Sequence, residues 1–178
     1  MRNGVAIALG ENYVKQSYRN RFDILGVNGR MALTVPVQGQ KGEKVNVRDI
    51  KIADDSWRRS HLISLRSAYG RAACFEYYFD ELEKIILHRQ QFLVDLNLEA
   101  LDFISRAGLL LNLEPNDEPV PNSLTQHFEP SYEWPELPSY PQVFGDRFPF
   151  VSNLSVIDLL MNLGPKAGLY MATIKVNY

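Results

Sequence analysis

Eight of the chain's ten prolines fall between Glu114 and Pro149, with Phe128, Tyr132, Trp134, Tyr140, Phe144 and Phe148 spaced among them. Proline lacks an amide hydrogen and has a fixed φ, so neither a helix interior nor a central strand can run through such a stretch. A disordered segment would carry fewer rings to bury. Residues 114–150 therefore read as a long ordered loop in extended conformation, wrapped over the surface of the rest. The regular elements of this 178-residue chain must come from either side of that loop. That is enough for one domain, 1–178, with at most a small appendage.

Residues 1–53 read mainly as strands. Val5–Leu9 is a short apolar run suited to a buried strand, which needs partners on both sides. Arg21–Val27 and Met31–Val37 flank Asn28-Gly29, a two-residue turn signal, and Leu33, Val35 and Val37 alternate with Ala32, Thr34 and Pro36. Lys44–Ile52 suggests one more short strand, interrupted near Arg48-Asp49. Residues 54–108 read as helices. Asp54, Asp55 or Ser56 caps the first, whose stripe of Trp57, Leu62, Leu65, Ala68 and Tyr69 stops at Gly70. The second runs from about Ala73 to Gln90, and the third is capped at Asp95 or Asn97 and ends at Gly108. A last helix over 152–164, capped by Ser152 or Asn153, stops at Gly164-Pro165, and Leu169–Val176 suggests a closing strand. The expected class is α/β or α+β: a small N-terminal sheet with a β-hairpin, packed by three to four helices and laced by the Pro/aromatic loop.

With 46% hydrophobic and 22% charged residues the chain can bury a core. A lone cysteine, Cys74, permits no internal disulfide and points to a reducing compartment. No signal-peptide pattern and no window of about eighteen apolar residues is present, so the expected location is cytoplasmic, with no membrane span. The net charge of −2 hides an asymmetry: residues 1–71 hold 13 Lys+Arg against 6 Asp+Glu (+7), and residues 72–178 hold 6 against 15 (−9). This implies internal complementarity or a basic face for an anionic ligand. Nucleic acid is disfavoured, because no RNA- or DNA-binding signature accompanies the charge.

The densest polar stretch is ENYVKQSYRNR, Glu11–Arg21. If extended, it would align Tyr13, Lys15, Ser17, Arg19 and Arg21 on one face as a cradle for a phosphate, a carboxylate or an acidic glycan. The plainer reading is a solvated edge strand protected by its charges. No phosphate-loop, dinucleotide, metalloprotease or nucleophile-elbow pattern occurs. His61, His88 and His127 lack metal-ligand spacing, and no metal site is expected. Cys74 reads as a packing residue. His61 is the acid–base candidate because its ordinary pKa suits proton transfer near neutrality, with a half-buried structural histidine as the alternative. Glu76, in FEYY, is either a second catalytic candidate or a helix N-terminal carboxylate favoured by the dipole.

Four ordered blocks resemble the WbqC-like family of bacterial proteins: ENYVKQSYRNR; Trp57-x3-His61 leading to SAYG (Ser67–Gly70) and FEYY (Phe75–Tyr78); FLVDLNLE (Phe92–Glu99); and YPQVFGDRFPFVSNLSVIDLLMNLGP (Tyr140–Pro165). They cover most of residues 11–167. The resemblance implies surface-polysaccharide biosynthesis of the O-antigen kind and a group transferase, for instance one attaching glycine to a sugar. The implied ligand is an anionic small molecule such as a sugar nucleotide or an amino-acid derivative. Tyr13, Lys15, Tyr18, Arg19, Asn20, Arg21 and Tyr69 would bind it, with His61 and Glu76 as catalytic candidates. No cofactor or oligomeric state is specified. Family members usually carry a Pro-rich, aromatic segment and a strand–helix unit before the basic stretch, where this chain has about ten residues. The expectation is a shortened start and, at the basic stretch, half a site. The competing class is a non-catalytic binding or scaffold protein whose basic face docks an acidic partner.

Overall fold

The computed structural model describes residues 4–38, 44–109, 112–117 and 136–174. The expected α/β character is present, but the strands form two separate pairs rather than one sheet. Strand β1 (Gly4–Ala8) runs parallel to β4 (Asn112–Asn116). Strands β2 (Arg21–Gly26) and β3 (Gly29–Thr34) form the antiparallel hairpin, from Arg21 opposite Thr34 to Gly26 opposite Gly29. The turn residues are thus Val27 and Asn28, one position earlier than the Asn-Gly signal suggests. Gly29 takes the left-handed φ, 102°, that lets the chain re-enter the ladder, a conformation costly for a residue with a Cβ.

The expected strand over Lys44–Ile52 is replaced by single bridges around a 3-10 turn, Val47–Asp49, whose Asn46 side chain accepts from the Arg48 amide at 2.9 Å. The Arg48-Asp49 interruption is this turn. Helix α1 spans Ser56–Tyr69, α2 Phe75–Leu87 and α3 Leu93–Ile104. Helix α3 starts ahead of its expected caps because the Leu93 amide is already satisfied by the Ile50 carbonyl at 2.8 Å. Asp95 instead sits in the first turn, where a negative charge suits the dipole. A π turn, Ser105–Leu109, with Gly108 at φ 116°, ends the helix near the expected glycine.

Helix α4 (Val156–Leu163) is capped by Ser155, whose Oγ accepts from the Ile157 amide at 3.2 Å, rather than by Ser152 or Asn153. The expected closing strand from Leu169 is helical: Gly164–Lys166 forms a 3-10 turn that leads into α5, Ala167–Thr173. Pro165 explains the difference, since its fixed φ pre-organises a helical first turn. Residues 175–176 of that expected strand, and His127, Phe128, Tyr132 and Trp134 of the Pro/aromatic loop, lie outside the described residues.

The core joins the hairpin to the helices through Ile24, Leu65, Tyr69, Leu93, Phe103 and Leu160, all essentially buried. Each such side chain contributes about 1.5–3 kcal/mol before entropy is subtracted. Cys74 packs in this frame: its amide donates to Met161 O at 3.0 Å, and Gly164 lies against its sulfur. Ion pairs join cations of the basic part to acids of the later part at Arg48–Asp117 and Arg66–Glu83 (2.8 Å), so the charge asymmetry is partly consumed internally. No helix among the described residues is long and apolar enough to cross a membrane.

Candidate functional site

The described part of the Pro/aromatic segment folds back on itself between Tyr140 and Val151. Phe144 is driven into the interior, and turn bonds run from the Gly145 amide to Gln142 O and from the Arg147 amide to Phe144 O. The Gln142 side chain closes the loop as a strand would: its Nε2 donates to Val151 O and its Oε1 accepts from the Val151 amide, both at 3.0 Å. Proline on either side makes this side-chain pairing necessary, because regular ladder bonds are not on offer. An open cleft of about 470 Å³ results, lined by Tyr140, Gln142, Asp146, Phe148 and Phe150, with Arg71 at its wall. The Arg71 guanidinium lies 5.8 Å from the Phe144 ring.

Beneath the cleft sits Asp158, 1% exposed within α4. Its Oδ2 accepts from the Tyr140 hydroxyl at 2.7 Å and from Gln142 Nε2 at 3.2 Å. Burial pushes the Asp158 carboxyl above the usual range, against the pull of those donors. It also pushes the Tyr140 phenol up, reinforced by the carboxylate, so that hydroxyl remains a donor at neutral pH. Burial pushes the Tyr69 phenol up as well, and the nearby Asp158 carboxylate pushes it further, although the Tyr69 hydroxyl has no partner of good hydrogen-bond geometry among the described residues.

The basic stretch is built otherwise than its alternation suggests. Residues 15–20 turn rather than extend, and Gln16 takes φ 59°. Arg19 donates Nε and Nη2 to the two Glu11 oxygens at 3.0 and 2.8 Å. Asn20 prolongs the hairpin: its carbonyl accepts from the Val35 amide and its Nδ2 donates to Val35 O. Tyr18 donates to Asp23 at 3.3 Å, and Arg21 Nη2 to Gln16 O at 3.1 Å. Tyr13 is half-buried near Arg19 and Arg21, and Lys15 is exposed. His61 lies in the core, 4% exposed, with its ring edge-on to Trp57 at 4.8 Å and Phe22 at 5.9 Å. Burial pushes its pKa down to about 4, opposed by a hydrogen bond to the Thr34 backbone. Glu76 is exposed in the first turn of α2. Of the expected site residues, Tyr69 alone lies beside the Asp158 cluster.

A family model, the WbqC-like protein family, matches residues 8–116 and 124–170. The chain belongs to the WbqC-like protein family. No curated protein and no solved structure matches it. In this WbqC-like chain, sequence reasoning passed over Arg71, Gln142, Asp146 and Asp158. One signal was readable: Asp158 interrupts the apolar run Val156-Ile157-x-Leu159-Leu160-Met161, where a carboxylate has to be held by something. Among the described residues, no group of three or more His, Cys, Asp or Glu is placed to hold a metal ion.

Proposed function

We propose that this WbqC-like chain is a group transferase of bacterial surface-polysaccharide biosynthesis, and that its cleft beside Arg71 binds the anionic substrate, a sugar nucleotide or an amino-acid derivative. The observation that carries the reading is the state of Arg71. Arg19, Arg30, Arg58, Arg66 and Arg106 are each committed to a carboxylate. Arg71, just past the end of α1, makes neither ion pair nor hydrogen bond among the described residues and borders a cleft of ligand size. A guanidinium offers five donors in a planar fork suited to phosphate or carboxylate. Tyr140, Phe148 and Phe150 supply ring surface for a base or sugar face, and Asp146 supplies a carboxylate able to accept from sugar hydroxyls.

In this reading Tyr18, Arg19 and Asn20 shape the root of the hairpin, Tyr13, Lys15 and Arg21 border it, and Glu76 faces solvent. The burial of His61 favours a second reading, a binding protein without turnover. Both are tested by calorimetric titration with UDP-N-acetylglucosamine and with inorganic pyrophosphate, followed by an assay for sugar-nucleotide consumption. Arg71→Ala should weaken binding about tenfold or more at an unchanged melting temperature, as loss of a charge-assisted contact requires. Arg19→Ala should lower the melting temperature and leave affinity nearly intact. Equal affinity in Arg71→Ala and the unaltered chain would remove the cleft from the reading, and binding without consumption favours the second reading.

A further inference from the structure

We propose that Asp158 is a positioning residue that sets the wall of the cleft from below, through Tyr140 and Gln142. This rests on the cleft being the ligand site. Three stretches far apart in sequence converge on this one carboxylate: Tyr69 at the end of α1, Tyr140 and Gln142 of the cleft loop, and α4 itself. Asp158 has no cationic partner among the described residues; its carboxylate oxygen is held by neutral donors. A carboxylate buried in an apolar helix face is a poor way to gain stability, since an apolar side chain of similar size packs there at no desolvation cost. It is a good way to fix orientation.

Gln142 shows how. With Nε2 shared between Asp158 and Val151 O, and Oε1 taken by the Val151 amide, its side chain has one arrangement. Tyr140 is turned with its hydroxyl into the interior, and its ring is wedged edge-on between Phe150 and Tyr170, each at 5.1 Å. The ring is thereby left to the cleft as a surface. The polar groups facing the Asp158 carboxyl are Tyr69 from α1, Tyr140 and Gln142 from the loop, and Asn162 one turn on in α4, whose Nδ2 also donates to the Asp158 backbone carbonyl at 2.8 Å.

The test uses Asp158→Asn and Asp158→Leu in the full chain. Amide hydrogen exchange is read at Val151 and in α2, the tyrosine ultraviolet band is recorded, and binding of inorganic pyrophosphate is titrated. Both variants should stay folded. Exchange at Val151 should accelerate about tenfold or more while α2 amides are unchanged. The tyrosine band should lose the red-shifted component that Tyr140→Phe also removes, and pyrophosphate affinity should fall although Arg71 is intact. Unchanged exchange and an unchanged band in a folded variant would overturn the proposal alone. A uniform acceleration across α2 as well would make Asp158 merely structural and overturn it too. Failure of the unaltered chain to bind pyrophosphate would instead count against the cleft reading, and with it against this proposal.

Discussion

His61 shows why a residue's chemistry depends on its address. A histidine near neutrality is the natural acid–base group, yet between Trp57 and Phe22 it is desolvated, and its pKa falls to about 4 from an ordinary 6.5. The unfolded chain then binds a proton that the folded chain refuses. Stability is therefore full above about pH 6.5 and is lost as pH falls toward 4, by up to about 3 kcal/mol for this group. Urea-unfolding midpoints from pH 7 to 4 should fall, and the fall should be shallower in His61→Leu; equal slopes would refute the assignment. Arg19 makes the same point. Its charge was legible as a ligand clamp, but Glu11, eight residues earlier, takes the guanidinium bidentately. Nothing in alternation could have shown this, because it depends on a turn at Gln16 that a non-glycine residue makes.

At the scale of elements, helices were read well and strands less so. The stripes of α1 and α2 place Leu65, Tyr69, Phe79 and Leu82 inward as their spacing implies, because 3.6-residue periodicity is a local property. The Lys44–Ile52 segment and the helix after Pro165 were misjudged because short apolar runs do not distinguish a strand from bridges or a helical turn. The junction of α4 with α5 deserves a direct test. Gly164 takes φ 57° and ψ −130°, and a Cβ built there would lie 2.5 Å from Cys74 Sγ. Gly164→Ala should thus destabilise by about 1–3 kcal/mol through backbone strain and the clash with Cys74 at the entry to α2. Chemical denaturation checks the size, and Gly164→Ala combined with Cys74→Ala should recover part of the loss; no recovery would mean that backbone strain alone is responsible.

For the whole molecule, the charge asymmetry was readable from the sequence, whereas its use was not. Some of the cations of residues 1–71 meet acids of the later part, and others pair at home, as Arg30 does with Asp23 at 3.2 Å. Solvent-exposed pairs contribute about 0–1 kcal/mol each and are screened within about 10 Å at 0.1 M salt. Raising NaCl from 10 mM to 500 mM should therefore change the melting temperature by only a few degrees. A large drop would assign the two parts an electrostatic attraction beyond these contacts. The candidate cleft was the least legible feature of all, since it exists only where the folded-back loop meets Arg71 beyond the end of α1. Its sequence trace was a proline-rich tract whose rings had to be buried somewhere.

The parallel pairing of β1 with β4 has a kinetic consequence. Gly4 faces Asn112 across 108 positions, with the hairpin and three helices strung between them. Closing so large a loop before anything else has condensed is entropically unfavourable, so the intervening hairpin and helices should assemble first and draw these strands together. This ladder is then among the later pieces of the molecule to form, a seam that can part while the helical interior stays shut.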